Sequence, residues 1–113
     1  MESLSDRIGL LLADYWRPLN RQEKILLSLR PGAKYLSRLR TELGLRSLSG
    51  IERDLNRLVR DGFIVRDEKP DGDKRSPIYY SLTENGASLA LLLWLKTRGV
   101  DLRLHASVTD AGY

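Results

Sequence analysis

Between Ser49 and Arg60 the chain reads Ser-Gly-Ile-Glu-Arg-Asp-Leu-Asn-Arg-Leu-Val-Arg. Projected as a helix at about 100° per residue, this segment sorts into two faces. Ile51, Leu55, Leu58 and Val59 share one arc. Arg53, Arg57 and Arg60 share the other, with Ser49, Gly50 and Asn56 beside them. The chemistry of that second face is recognition. Arginine bonds bidentately to guanine O6 and N7, and asparagine bonds in the same way to adenine. Ser49 and Gly50 are small enough to let a nucleic-acid backbone come close. Glu52 and Asp54 lie at the flanks, where an acid either pairs with an arginine or repels phosphate.

A second polar cluster follows. Asp67 to Ser76 is charged and holds Pro70 and the turn signal Asp71-Gly72, with Asp73, Lys74 and Arg75 beyond it. A loop of this kind between two apolar runs reads as a hairpin with a basic tip. Upstream, Lys34, Arg38, Arg40 and Arg46 are placed to hold phosphates, contacts that set affinity and register but not sequence.

The charge distribution agrees. The chain has 113 residues with 19 basic and 15 acidic side chains, a net charge of +4. Residues 31–66 carry 8 basic and 4 acidic groups, which is the whole net excess. Such localisation suits a polyanion. There is no cysteine and a single histidine, His105, read as plain surface. Disulfides, zinc-thiolate sites and thiol catalysis are excluded. No Gly-rich phosphate loop, Gly-x-Ser-x-Gly motif or histidine–carboxylate pair appears, so neither an enzyme nor a cofactor is expected. The apolar run from Ile8 to Ala13 is too short for a signal peptide beside Glu2 and Asp6. Residues 87–95 are too few to span a bilayer, which takes about 20. A cytoplasmic protein without membrane attachment is expected.

The elements that must position these groups follow from capping and period. Residues 3–16 read as a helix opened by Ser3 and Asp6, with Leu4, Ile8, Leu11, Leu12 and Tyr15 in phase and Leu10 and Trp16 widening the face. Asn20 with Glu23 opens a second helix, which Arg30-Pro31-Gly32 ends. Residues 33–43 give a third, closed by Gly44. The fourth runs from about 48 or 50 to 61, with Ser49–Glu52 as capping box and Ser47 as competing cap, and Gly62 closes it. The period then falls to two. Phe63 to Arg66 and Ile78 to Leu82 form a hairpin, and Thr83 caps a last helix over 84–97. The tail, 98–113, is left open as strand, arm or disorder. The fold class is mainly α with a small β-hairpin, a winged helix-turn-helix with flanking N- and C-terminal helices. It forms one domain over 1–97, with a core at 20–82.

The run LGLRSLSGIERDLNRLVRDGFIVRDEKPDGDKRSPIYYSLTENG, residues 43–86, resembles the DNA-binding core of the MarR and PadR families of winged-helix transcriptional regulators. Leu58-Val59-Arg60-Asp61-Gly62-Phe63-Ile64 is similar to the end of their recognition helix. Asp73-Lys74-Arg75 is similar to the aspartate-any-arginine of the MarR wing, where the resemblance implies that Arg75 contacts DNA and Asp73 orients it. Tyr80 to Gly86 is similar to their strand-to-helix corner. The chain is shorter than most MarR members, and its length and simple flanks equally resemble small archaeal, plasmid or phage winged-helix proteins.

The expected function is a sequence-specific, double-stranded DNA-binding transcriptional regulator, a dimeric repressor. Its recognition helix would lie in the major groove and its wing on the minor groove or backbone. The reading set is Ser49, Gly50, Arg53, Asn56 and Arg57, the wing set Asp73, Lys74 and Arg75, and the phosphate set Lys34, Arg38, Arg40 and Arg46. The last helix is apolar nearly all round, which one small core cannot cover. A homodimer through Leu4, Ile8, Leu11, Tyr15, Trp16, Leu91, Leu92, Trp94 and Leu95 accounts for the excess. The alternative is intramolecular packing of the first helix on the last. Tyr15, Trp16 and Trp94 could also line a pocket for a small-molecule effector. Two other functions fit the same fold: a protein–protein interaction module, and a plasmid or phage partition or replication protein.

Overall fold

A computed structural model of the chain describes residues 2–44, 48–67 and 78–103, the side chains of 48 and 49 excepted. The elements are α1 (Leu4–Ala13), α2 (Arg21–Ser28), β1 (Lys34–Tyr35), α3 (Leu36–Leu43), α4 (Leu48–Arg60), β2 (Ile64–Asp67), β3 (Tyr79–Leu82) and α5 (Glu84–Thr97). The capping logic largely carries through. Ser3 with Asp6 and Asn20 with Glu23 both form reciprocal capping boxes. Thr83 Oγ1 accepts from Gly86 N at 3.0 Å and also donates to Gly62 O at 2.6 Å, so it joins the α5 cap to the end of α4. Gly44 closes α3 with φ 67°, and Gly62 follows α4 with φ 82°, where a side chain would be strained.

Three boundaries differ from the sequence reading. α1 stops at Ala13 because Asp14 leaves helical geometry (φ −136°, ψ 67°) and Pro18 disfavours helix in the residue before it. Tyr15 and Trp16 therefore sit in a turn, not on a helix. Lys34 and Tyr35 are not helical but pair antiparallel with Tyr80 and Tyr79. The hairpin is thus a three-stranded sheet in the order β1-β3-β2. α4 begins at Leu48, so Ser49 lies within its first turn; Ser47 and the wing loop at 68–77 lie outside the described residues.

The core draws one face from each helix. Leu11, Tyr15, Ile25, Leu26, Leu29, Leu39, Ile51, Leu55, Leu58, Phe63, Ile64, Leu89 and Leu93 are buried together. Each such aliphatic side chain stabilises the fold by about 1.5–3 kcal/mol. α5 lies against α2, α1 and β3. This covers Leu89, Ala90 and Leu93 but leaves Leu91 43% exposed. Past α5 the chain turns back toward the turn that follows α1: the Tyr15 hydroxyl donates to Val100 O, and the Arg103 guanidinium lies 5.4 Å from the Tyr15 ring centre and 5.6 Å from that of Trp16. Of the expected tail, residues 100–102 are thus partly buried and 98, 99 and 103 exposed; the rest lie outside the described residues.

Candidate nucleic-acid interface

α4 is held by its apolar arc. Ile51, Leu55 and Leu58 are wholly buried, which fixes the rotation of the helix and turns the opposite arc outward. Arg53, Asn56, Arg57 and Arg60 are all exposed and together line a shallow open depression. Arg60 belongs to this face though it was not in the expected reading set. Its Nε lies 3.5 Å from Asp61 Oδ1.

The acids that flank the face divide. Glu52 is exposed. Asp54 is engaged from behind, by an ion pair with Arg21 Nε and by Gln22 Nε2 at 3.3 Å. Its charge is therefore matched on the α2 side.

Gly50 carries a correction. It is half-buried and faces α2, not the outer arc. A Cβ there would lie 2.7 Å from an Arg21 guanidinium nitrogen. The missing side chain makes room for Arg21, which donates to Gly50 O at 3.3 Å. Close approach of a DNA backbone is not what this glycine provides.

The phosphate set is also rearranged. Lys34 is nearly buried, with its Nζ 2.5 Å from Glu42 Oε2 and 3.3 Å from Ser28 Oγ. Arg38 is mostly exposed, yet its Nε lies 3.2 Å from Glu42 Oε1. Lys34, then Ser28 and Arg38, hold the Glu42 carboxyl down to about 2. One carboxylate thus ties up Lys34 and restrains Arg38. Arg40 is exposed. Arg46, Asp73, Lys74 and Arg75, with the Ser49 side chain, lie outside the described residues.

The expected dimer set splits by burial. Leu11 and Tyr15 are 1% exposed, each consumed by the chain's own core, and so cannot face a second copy. Leu4, Ile8 and Leu92 are partly buried against the same core. Trp94 is half-buried, with the guanidinium of Arg30 4.4 Å and that of Arg98 5.4 Å from its ring centre. Leu95 is half-buried. Trp16 at 59%, Leu10 at 57% and Leu91 remain in the open. The intramolecular packing of α1 on α5 is present, and apolar surface is left over after it.

A cavity of about 360 Å³ opens between α1, α2 and α4, bounded by Arg7, Leu10, Arg17, Arg21, Asp54 and Arg57 among others. Tyr15, Trp16 and Trp94 do not line it. Among the described residues no three histidine, cysteine, aspartate or glutamate side chains gather to hold a metal, and no helix is long and apolar enough to cross a membrane.

No family model matches the sequence, and no curated protein matches it. Solved structures do. MarR from E. coli superposes with a TM-score of 0.64 at 27% identity, over 97% of this chain and 79% of that one. The chain has the MarR-type winged-helix fold. The adhesin competence repressor AdcR of Streptococcus pyogenes is similar with a TM-score of 0.64 at 20% identity, over 97% of this chain and 81% of that one. ZitR of Lactococcus lactis, a zinc-responsive MarR family member, is similar at 0.63 and 21% identity; the match covers 86% of this chain and 65% of ZitR. These neighbours are regulators, not enzymes. β2 and β3 are the strands on either side of residues 68–77.

Proposed function

We propose that the protein is a sequence-specific, double-stranded DNA-binding transcriptional regulator, acting as a homodimeric repressor in the cytoplasm. The observation that carries this reading is the outward face of α4: four exposed side chains, Arg53, Asn56, Arg57 and Arg60, on a helix whose rotation is locked by its buried arc. Arg53 and Arg57 address guanines in the major groove and Asn56 an adenine. Ser49 contributes at the amino end of the helix. The wing residues Lys74 and Arg75, with Asp73 orienting Arg75, reach the minor groove or backbone. Arg40 and Arg46 hold phosphates, and Arg38 does so as far as Glu42 lets it.

The exposed Leu10, Trp16 and Leu91 supply the surface for a second copy. Two reading helices then meet half-sites one DNA turn apart, about 34–36 Å. A small-molecule effector belongs to the same reading, and the cavity between α1, α2 and α4 is where it would reach the back of the reading helix.

Fluorescence anisotropy on random duplex DNA between about 50 and 200 mM salt tests the reading. A log–log slope steeper than about −4 is expected, since each neutralised phosphate contributes about −0.9. Selection of an operator follows, and Arg53→Glu with Arg57→Glu should abolish its binding while the far-UV spectrum stays unchanged. Absence of binding at the lowest salt overturns the reading.

A further inference from the structure

The back of α4 is held by a polar chain that meets the reading face only where Arg60 lies beside Asp61. Its centre is Arg7 on α1. Arg7 Nη2 donates to Asp61 Oδ2 at 3.1 Å, Nη1 donates to Gln22 Oε1 at 2.8 Å, and Nε lies 3.1 Å from Glu2 Oε2 without hydrogen-bond geometry. The guanidinium also lies 5.2 Å from the centre of the Phe63 ring. Its side chain is 11% exposed and that of Asp61 is 0% exposed. Gln22 passes the chain to Asp54, and Arg21 joins it there and at Gly50 O.

α4 is therefore gripped at Gly50, Asp54 and Asp61. From Gly50 to Asp61, the residue just past the end of α4, there are eleven steps, or about 16 Å at 1.5 Å per residue. A helix held at both ends of its back can neither slide nor roll without breaking an ion pair. The grip at the Asp61 end comes from α1, the helix that exposes Leu10 one turn further along. A buried ion pair adds little net stability over well-packed apolar groups, and its best-attested use is to specify one geometry.

We propose that Arg7 is a positioning residue for DNA reading, which fixes α4 relative to α1 and so sets the half-site spacing that the dimer accepts. The inference rests on the dimeric DNA-binding reading above. A base pair inserted between half-sites moves them apart by about 3.4 Å and turns one about the axis by roughly a tenth of a turn. A dimer whose reading helices are tied to α1 is strained by that change. With the tie cut, α4 stays seated by Ile51, Leu55 and Leu58, but α1 and its exposed Leu10 can shift against it, and the dimer absorbs part of the change.

The test uses the selected operator at its native spacing and with one base pair added or removed. Wild type is expected to lose at least about 10-fold in affinity on either change, the scale of a single mismatch. Arg7→Met should lose under about 3-fold, with its salt slope and its penalties for half-site mismatches unchanged. Arg7→Met alone leaves the buried Asp61 without its Arg7 bond and with Arg60 as the cation beside it, so the double variant Arg7→Met, Asp61→Leu, which removes both charges, is measured beside it. Arg7→Lys should restore part of the discrimination, because lysine can reach Asp61 but cannot hold Gln22 in the same fork. A folded double variant that discriminates spacing as wild type does overturns the inference. So does a wild type that binds its operator yet ignores spacing. A wild type that binds no DNA overturns the regulator reading beneath it.

Discussion

The carbonyl oxygen of Phe63 lies 1.8 Å from where a Cβ on Gly86 would stand. The same oxygen accepts from Thr83 N at 3.0 Å, so the strand-to-helix corner is drawn tight over the end of α4. Gly86→Ala must move backbone against backbone. It is expected to cost about 3 kcal/mol or more, among the larger effects of single substitutions. Gly50→Ala meets only the end of the Arg21 side chain, which can swing away, and alanine favours helix over glycine by about 1 kcal/mol. Urea melts of the two variants should separate them clearly. Equal losses would contradict this account of the corner.

Glu42 ties up Lys34 and restrains Arg38, which stays mostly exposed. Glu42→Gln should release Arg38 and part of Lys34, raising affinity for random duplex and steepening the salt slope by up to about 1 to 2. An unchanged slope would mean that neither cation faces DNA.

The acid limb of stability should depend on Glu23 and Asp61. Burial pushes the Glu23 carboxyl up, but Arg17, at 2.6 and 2.8 Å, and the backbone of Asn20 bring it below its ordinary value. Burial likewise raises Asp61, and Arg7 with Arg60 more than reverses it. Groups lowered in the folded state add stability above their unfolded values, about pH 4, and that contribution is lost as pH falls through the folded ones. Arg17→Met removes the pull and leaves the burial. Its acid unfolding midpoint, followed by far-UV circular dichroism, should move to higher pH than that of wild type.

The leftover apolar surface predicts an assembly phenotype. Trp16→Glu and Leu91→Glu act on exposed side chains, so they should turn a sedimenting dimer into a monomer with little change in melting. Leu11→Ala empties a buried site and should cost about 2–5 kcal/mol. A dimer that survives both exposed substitutions would place the contact elsewhere.

Helices were legible wherever a cap and an apolar stripe coincided: α5 occupies the residues that Thr83 and the run of leucines mark out. β1 was not legible, because Lys34 and Tyr35 are extended only by virtue of pairing with Tyr80 and Tyr79, forty-odd residues away. The outward arc of α4 followed from its period. What period could not supply was the partner of each charge. The angular position of Gly50 says nothing of an arginine on α2, and Lys34 looks like a phosphate ligand until Glu42 is seen beside it. Arg7 and Asp61 are fifty-four residues apart, and no local pattern joins them. Asp61 stands in the Arg-Asp-Gly that ends α4, where the sequence marks a turn and gives no sign of a buried carboxylate.

β2 is the outer strand of its sheet, hydrogen-bonded to β3 on one side. Edges of this kind invite another chain to add itself, the first step toward fibrils. Here the strand is four residues long, and its wing-side half is Arg66 and Asp67, with Val65 as its exposed apolar side chain. β1, at the opposite edge, has two residues. Among the described residues, neither offers the run of about six or seven low-charge positions on which cross-β stacking builds. Edge-to-edge pairing of this sheet between copies is therefore disfavoured.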